Sequence, residues 1–148
     1  MATSNDVYPN FHRVMGTGIV DLESDDLYLV LLDGSIGFDN THSVLSDVNT
    51  AEISGDGYAA GGEVLPNTTW QQNGSIVEYK SDDVTWQTNN EIAADDAVVY
   101  HGPSETLVAY IDFTETKTAI GTSQDKATFR VDFEDNNTVF EIEANPSA

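Results

Sequence analysis

Two apolar runs separated by a turn, within residues 97–113, constrain the fold more than any other feature of the sequence. In the second run Leu107, Ala109, Ile111 and Phe113 alternate with Thr106, Val108, Tyr110 and Asp112. Gly102 and Pro103 separate the two runs and exclude a continuous helix. The pattern predicts a β-hairpin with one strongly apolar face and one mixed face, inside a sheet that packs on a second layer.

Short strand patterns recur along the rest of the chain. The apolar run 27–32 predicts a central strand covered on both faces, and residues 63–66 predict a short edge strand. Asn73-Gly74 predicts a tight hairpin that leads into the strand 75–80, and residues 84–86 predict a further strand. The residues expected to point inward near the C-terminus are Ala127, Phe129, Val131, Phe133, Phe140 and Ile142.

Helical patterns are short. Pro9 occupies an early helix position, and Gly16 ends a helix of one or two turns. Its inward face consists of Phe11, Val14 and Met15. Residues 42–48 predict a second short helix, capped by Thr41 or Ser43, and residues 49–53 are expected to be extended.

Together these patterns predict an all-β fold, a single-domain β-sandwich of about eight strands with a short N-terminal helix. A jelly-roll-like and an immunoglobulin-like strand order are both compatible with the pattern. The expected organisation is a flexible N-terminus at residues 1–8, the β-sandwich at 9–143 and a flexible C-terminus at 144–148.

The net charge of the chain indicates which salt concentration and which partners we expect for it. Its 26 acidic and 5 basic residues give a formal net charge of −21. Self-repulsion on that scale is screened in concentrated salt, where the Debye length falls to about 3 Å at 1 M. We therefore expect a folded protein of a halophilic host that does not bind nucleic acid, because a basic patch for phosphates is missing.

Several site types are excluded by composition. The chain of 148 residues contains no cysteine, so disulfides and thiolate chemistry are excluded. No apolar run approaches the roughly 20 residues that span a bilayer, and the N-terminus does not read as a secretory signal, so membrane association is not expected.

Candidate binding motifs favour structural roles. Gly55, Gly57 and Gly61 lack dinucleotide-fingerprint spacing and predict a bend that needs positive φ and close backbone approach. His12, His42 and His101 are remote in sequence and are expected on the surface or in loops. We therefore predict no metal site and no bound cofactor.

Acidic and aromatic residues are numerous enough to form chance clusters. The acidic connector Asp21, Glu23, Asp25 and Asp26 lacks the glycine and glutamate of an EF-hand loop. It is expected to be solvated, as are Asp82-Asp83 and Asp95-Asp96. No Gly-x-Ser-x-Gly elbow or Ser/His/Asp triad is marked, so no catalytic residue is predicted. Core packing is favoured over a sugar-binding platform for Trp70, Trp86, Tyr79, Tyr100 and Tyr110.

The order of several segments resembles a family of small virion proteins encoded by tailed phages. The segments are 18–22 with the strand 27–32, then 41–48, 52–62, 82–86, 97–100 and 107–113. The most specific are Gly-Tyr-x-Ala-Gly-Gly at 57–62 and Asp-Asp-Val-Thr-Trp at 82–86. The resemblance covers about residues 10–133, and residues 134–148 match less well.

The resemblance implies a non-enzymatic structural protein of a virus particle. A capsid decoration or turret protein is expected first, located on the capsid surface, with the major capsid protein and copies of itself as partners. A sheet edge, or the segment 7–15, is expected to dock there. The alternatives are a tail- or fibre-associated protein that contacts the host, for example by binding glycans, and a small β-sandwich glycan hydrolase.

Overall fold

The computed structural model describes residues 5–143, and its regular structure is mostly strand, which confirms the all-β expectation. The strands are β1 (Asn5–Val7), β2 (Leu27–Leu32), β3 (Glu63–Val64), β4 (Thr69–Asn73), β5 (Ile76–Lys80), β6 (Val84–Thr88), β7 (Glu91–His101), β8 (Leu107–Ile120), β9 (Ala127–Val131) and β10 (Thr138–Glu143). The helices are α1 (Pro9–Met15) and a single turn, α2 (Glu134–Asn137).

The strands form a five-stranded sheet in the order β1-β8-β7-β2-β3, a three-stranded sheet β10-β5-β4 and a two-stranded sheet β6-β9. All recorded pairings are antiparallel. The hairpin expected within residues 97–113 is confirmed as β7 and β8. The central strand expected at 27–32 is also confirmed, since β2 lies between β7 and β3.

Both faces of the five-stranded sheet are buried. On one face Leu29, Val99 and Ile111 belong to a cluster that also contains Tyr79 of the three-stranded sheet and Trp86 of the two-stranded sheet. The two small sheets therefore pack together on this face.

The opposite face is covered by irregular chain rather than by a sheet. Two 3-10 turns, Leu45–Asp47 and Asn49–Ala51, place Leu45, Val48 and Ala51 against Val30, Leu32 and Val98. The short helix expected at 42–48 is thus a single 3-10 turn at Leu45–Asp47. The expectation that 49–53 is extended is wrong for residues 49–51, which form the second 3-10 turn. The Asp47 carboxylate accepts the N–H groups of Ser43 and Val44, so the cap comes from Asp47 and not from Thr41 or Ser43.

A β-bulge changes the expected alternation of β8. Val99 pairs with Ala109 but Tyr100 pairs with Leu107, so Val108 has no residue opposite it. Val108 joins the cluster that contains Ala109, and Leu107 joins the cluster on the other face. The prediction that Leu107 and Ala109 share a face is therefore wrong, because the extra residue reverses the alternation.

From Asn5 onward the N-terminal segment is part of the fold, whereas residues 5–8 were expected to belong to a flexible N-terminus. Asn5–Val7 pairs with β8, and the Tyr8 side chain is fully buried. The short helix beginning at Pro9 is confirmed, with Phe11 and Val14 buried. Two apolar residues of the segment 7–15, for which docking was expected, are therefore part of the core. Residues 1–4, and the C-terminus at 144–148 that was expected to be flexible, lie outside the described residues.

The last strand runs past the core. Phe140 is buried as expected, but Ile142 is 40% exposed, so its predicted inward position is wrong. Ile142 pairs with Val77, which is itself only partly buried, at the end of the three-stranded sheet.

The glycine-rich bend has the structural role expected of it. Gly62 has φ +80°, and a Cβ there would lie 1.9 Å from the Leu29 carbonyl oxygen. Gly57 has φ +88°, with the Gln87 carbonyl oxygen at the same 1.9 Å. These two contacts hold the bend against β2 and β6 at a distance that only glycine permits.

Candidate functional site

An open cavity of about 470 Å³ lies beside the turn that joins β7 to β8. We call it the acidic cavity; its lining residues are Ser24, Asp25, Asp26, Tyr28, Tyr100, Gly102, Pro103 and Glu105. The acidic connector supplies one wall, and the paired strands β2 and β7 supply the tyrosines. Residues from three parts of the sequence therefore meet here.

Ring stacking and a hydrogen bond hold the two tyrosines of the cavity in place. Tyr28 and Tyr100 are directly opposite in the register, and their rings stack with centroids 5.6 Å apart and planes 19° from parallel. The Tyr100 hydroxyl donates to the Gly61 carbonyl oxygen at 2.6 Å. Burial, together with nearby carboxylates such as Glu52, raises the pKa of Tyr100 to about 12. The phenol therefore stays neutral and keeps this hydrogen bond at neutral pH.

Asp25 connects the cavity to the interior. Its carboxylate accepts the Asp21 backbone N–H at 2.9 Å and lies 2.7 Å from His101 Nε2. The Asp21 hydrogen bond, followed by the His101 hydrogen bond, lowers the pKa of Asp25. Asp25 is therefore an ionised acceptor for His101 at neutral pH.

His101 joins Asp25 to Ser104 in a Ser/His/Asp series. The His101 side chain is fully buried, and its Nδ1 lies 2.7 Å from Ser104 Oγ. With Nε2–H donating to Asp25, Nδ1 accepts the Ser104 hydroxyl proton. Ser104 Oγ in turn lies 2.7 Å from Thr106 Oγ1 and accepts the Thr106 N–H at 3.3 Å.

Asp25, His101 and Ser104 are the residue types of a hydrolase triad. Their hydrogen bonds connect the acidic connector to the hairpin turn. With this tautomer the Ser104 hydroxyl donates one hydrogen bond to His101 and accepts two from Thr106. The Gly102 N–H also donates to the Asp26 carbonyl oxygen at 2.9 Å. The network therefore ties the acidic connector to the hairpin turn.

The expectation that the histidines lie on the surface or in loops is wrong for His101. His12 is exposed and His42 is partly buried, whereas His101 ends β7 in the interior. The partner Asp25 lies 76 residues away in sequence. A histidine followed closely by Ser104 and Thr106 was the only local indication of the network.

A second group of carboxylates lies near the middle of the β7–β8 hairpin. Asp96 is 2% exposed; it accepts the Tyr110 hydroxyl at 2.6 Å and the Gly34 N–H at 3.1 Å. Burial raises the pKa of Asp96, although both hydrogen bonds oppose the rise. The expectation that Asp95-Asp96 is solvated is therefore wrong for Asp96. An open cavity of about 180 Å³ beside it is also lined by Asp95, Asp112 and Glu115.

These carboxylates do not assemble into a metal centre within residues 5–143, where no group of three or more histidine, aspartate or glutamate side chains is arranged to hold an ion. Across the same residues, no helix combines the length and the apolar character needed to cross a membrane.

The aromatic residues considered for a sugar platform pack mainly in the core. Tyr79, Trp86, Tyr100 and Tyr110 are buried, which confirms the packing interpretation for these four. Trp70 is partly buried and lines a separate shallow cavity of about 240 Å³ with residues of the acidic connector.

Comparison of the chain with protein-family models, with curated proteins and with solved structures finds no match.

Proposed function

We propose that this protein is a non-enzymatic structural component of a tailed virus of a halophilic host. In this proposal it is a decoration or turret protein on the capsid surface. Its partners are the major capsid protein and further copies of itself. The observation that carries the proposal is a closed, well-filled core combined with sheets that end in open edge strands.

The interior has the properties of a rigid building block. The main cluster draws on all three sheets, and the five-stranded sheet is packed on both faces. The close approaches of Gly57 and Gly62 fix the connecting bend against two strands. A body of this kind can be repeated on a symmetric surface without changing shape, and many weak contacts then add up through avidity.

The edges supply the means of assembly. The order β10-β5-β4 ends at β4, whose exposed side chains include Thr69, Gln71 and Asn73. Among the described residues, the outer edge of β8 pairs with β1 only at residues 109–111, although β8 continues to Ile120. An open strand edge leaves backbone N–H and C=O groups available for pairing with another chain.

The surface charge agrees with a high-salt setting. A net charge of −21 on 148 residues would hold neighbouring copies apart at low ionic strength. In molar salt this repulsion is screened over about 3 Å, and short-range contacts at the edges decide the assembly.

The resemblance to tailed-phage virion proteins is concentrated in the scaffold. The segments that carry it supply β2, the 3-10 turns, the glycine-rich bend and the β7–β8 hairpin. It therefore supports a shared body whose surface has been replaced by acidic residues, and this is the form that adaptation of a coat protein to a salt-rich host would take.

Quantitative mass spectrometry of purified virions, scaled to the major capsid protein, tests the proposal. A decoration or turret protein is expected at about one copy per capsid subunit or per small group of subunits. A few copies per particle would place the protein in the tail or neck. Complete absence from the particle would overturn the virion role.

The acidic cavity favours one second candidate, a tail- or fibre-associated protein that binds host glycans. Tyr28, which stacks on buried Tyr100, is partly exposed beside carboxylates and offers apolar ring surface next to acceptors for sugar hydroxyls. Glycan-array binding should then be lost in Tyr28→Ala and kept in Phe38→Ala, whose exposed ring lies outside the cavity. Equal binding by both variants, or none by the unmodified protein, would remove this candidate.

A further inference from the structure

An uncharged stretch in this highly acidic chain coincides with an open sheet edge. Residues 64–77, between Glu63 and Glu78, contain no charged side chain, and this is the longest such stretch in the sequence. It includes all of β4, the hairpin turn at Gly74 and the beginning of β5. An edge strand without charges lacks the most common protection against pairing with another strand.

The backbone of β4 offers a defined set of unpaired groups. Asn73 pairs with Ile76 across a two-residue turn, an arrangement in which the flanking residues exchange hydrogen bonds. Successive peptide groups alternate in direction along a strand. The N–H and C=O groups of Asn73, Gln71 and Thr69 therefore point toward β5. The N–H and C=O groups of Trp70 and Gln72 therefore point away from the sheet.

The other uncharged edge strand, β6, is already covered. The glycine-rich bend lies against it so closely that a Cβ on Gly57 would be 1.9 Å from the Gln87 carbonyl oxygen. The Asp56 carboxylate also accepts the Asn89 N–H just beyond β6. By contrast, the sheet order ends at β4 within the described residues.

We infer that β4 pairs with β4 of a second copy of this chain, antiparallel about a two-fold axis at Gln71. This arrangement matches the outward groups of Trp70 in one protomer with those of Gln72 in the other. It joins the two three-stranded sheets into one continuous sheet across the dimer. The inference specifies the self-association in the proposed function and rests on that function for its biological purpose.

Charge identifies a second copy as the occupant. A docking surface for a basic partner would gain from carboxylates, which this chain carries almost everywhere else. Two copies of charge −21 instead meet with least repulsion where neither carries a charge. At the two-fold axis Gln71 faces its own counterpart, and Thr69 faces Asn73, so every cross-strand pair is neutral and able to hydrogen-bond.

Site-specific cross-linking tests the geometry directly. The chain has no cysteine, so Gln71→Cys creates a single thiol. In the proposed register the two Cβ atoms are about 4.5–5.5 Å apart, near enough for a disulfide after small adjustment. Oxidation in concentrated KCl should yield a covalent dimer on a non-reducing gel. The matched control Gln87→Cys places the thiol on the exposed side of covered β6 and should remain monomeric.

Sedimentation velocity provides the quantitative test. The unmodified protein should dimerise in about 2 M KCl, where charge is screened, and dissociate at low salt. Gln71→Glu places like charges opposite each other and should weaken the dimer about tenfold. Gln87→Glu adds the same charge elsewhere and should leave the dimer unchanged. Circular dichroism of each variant verifies folding.

A monomer for the unmodified protein at all salt concentrations would overturn the inference. So would equal cross-linking of the two cysteine variants, or equal dimerisation of the two glutamate variants. These experiments use purified protein, so they can fail while virion mass spectrometry supports the capsid role. The reverse combination, dimers in solution but absence from virions, would remove the capsid role alone.

Discussion

The five-stranded sheet and the three-stranded sheet differ in how their faces and edges are covered. The larger sheet is packed on both faces, and irregular chain pairs along the far edge of β2, where Leu65 N–H donates to Leu27 and Ile53 N–H to Leu31. The smaller sheet packs one face on the core and ends at the neutral strand β4. The difference indicates that the larger sheet has both faces covered by the chain itself, whereas the smaller sheet leaves the edge of β4 available for contact with another chain.

The largest expected loss of stability comes from Gly62, which brings the glycine-rich bend against β2 of the larger sheet. Gly62→Ala should lower the free energy of unfolding by more than about 4 kcal/mol, because the new Cβ would collide with the Leu29 carbonyl oxygen. Gly74→Ala in the β4–β5 turn is the matched control. Gly74 also has positive φ, but no atom lies within 4 Å of a Cβ there, so about 1 kcal/mol is expected.

Urea unfolding of both variants in concentrated KCl measures this contrast. Similar losses of unfolding free energy at the two positions would contradict the view that close packing of the bend against β2 stabilises the larger sheet.

The buried network at the hairpin turn should have the next largest effect. His101→Ala removes a fully buried side chain and its hydrogen bonds to Asp25 and Ser104, so a loss of about 2–4 kcal/mol is expected. Ser104→Ala leaves the His101–Asp25 contact in place and should cost about 1 kcal/mol. Equal losses in thermal and urea unfolding would show that the His101–Asp25 contact adds no stability of its own.

Asp96 should make the larger sheet sensitive to pH. Burial raises its pKa in the folded state, so the folded chain keeps this proton at pH values where the unfolded chain has lost it. Stability therefore falls as pH rises above the ordinary carboxyl pKa of about 4. Asp96→Asn cannot ionise and should become more stable relative to the unmodified protein as the pH rises above about 4.

The control for Asp96 is Asp95→Asn, which removes the same charge from a less buried neighbour. Unfolding free energies at several pH values compare the two variants. Parallel pH profiles would mean that net charge, rather than burial of Asp96, sets the trend.

The smallest effect on folding is expected in β4. Gln71→Glu in dilute, monomeric protein should lower the free energy of unfolding by less than about 1 kcal/mol, because the exposed side chain exchanges its hydrogen bond to Glu78 for a like charge in the same cross-strand pair. A large loss in urea unfolding would show that β4 contributes to folding as the larger sheet does, and that its lack of charge has a structural reason.

Local patterns in the sequence were sufficient to predict most elements. Alternation at 127–133 and the apolar run at 27–32 correctly predicted strands. The hairpin predicted from Asn73-Gly74 is also present, but its two turn residues are Gly74 and Ser75, because Asn73 pairs with Ile76 as the last residue of β4. The bulge at Val108 was not predictable, because a single extra residue leaves the apolar composition unchanged while it reverses the facing of Leu107.

The buried polar groups escaped prediction for another reason. His101 and Asp25 meet through tertiary contact, and Asp96 resembles every other aspartate in a chain with 26 acidic residues. In such a sequence the informative feature is the absence of charge. The stretch 64–77 could have been recognised from the sequence, but only the sheet order shows that it forms an open edge.

Amide hydrogen exchange in concentrated salt, followed residue by residue as protein concentration is raised, tests the contrast between the two sheets most directly. The account predicts that the outward-pointing amides of Trp70 and Gln72 become protected as copies associate. The amides of Leu29 and Leu31 in β2 should be protected at every concentration, because Leu29 pairs with Glu63 of β3 and the Leu31 N–H donates to the Tyr58 hydroxyl. Exchange at Trp70 and Gln72 that does not depend on concentration would contradict the account.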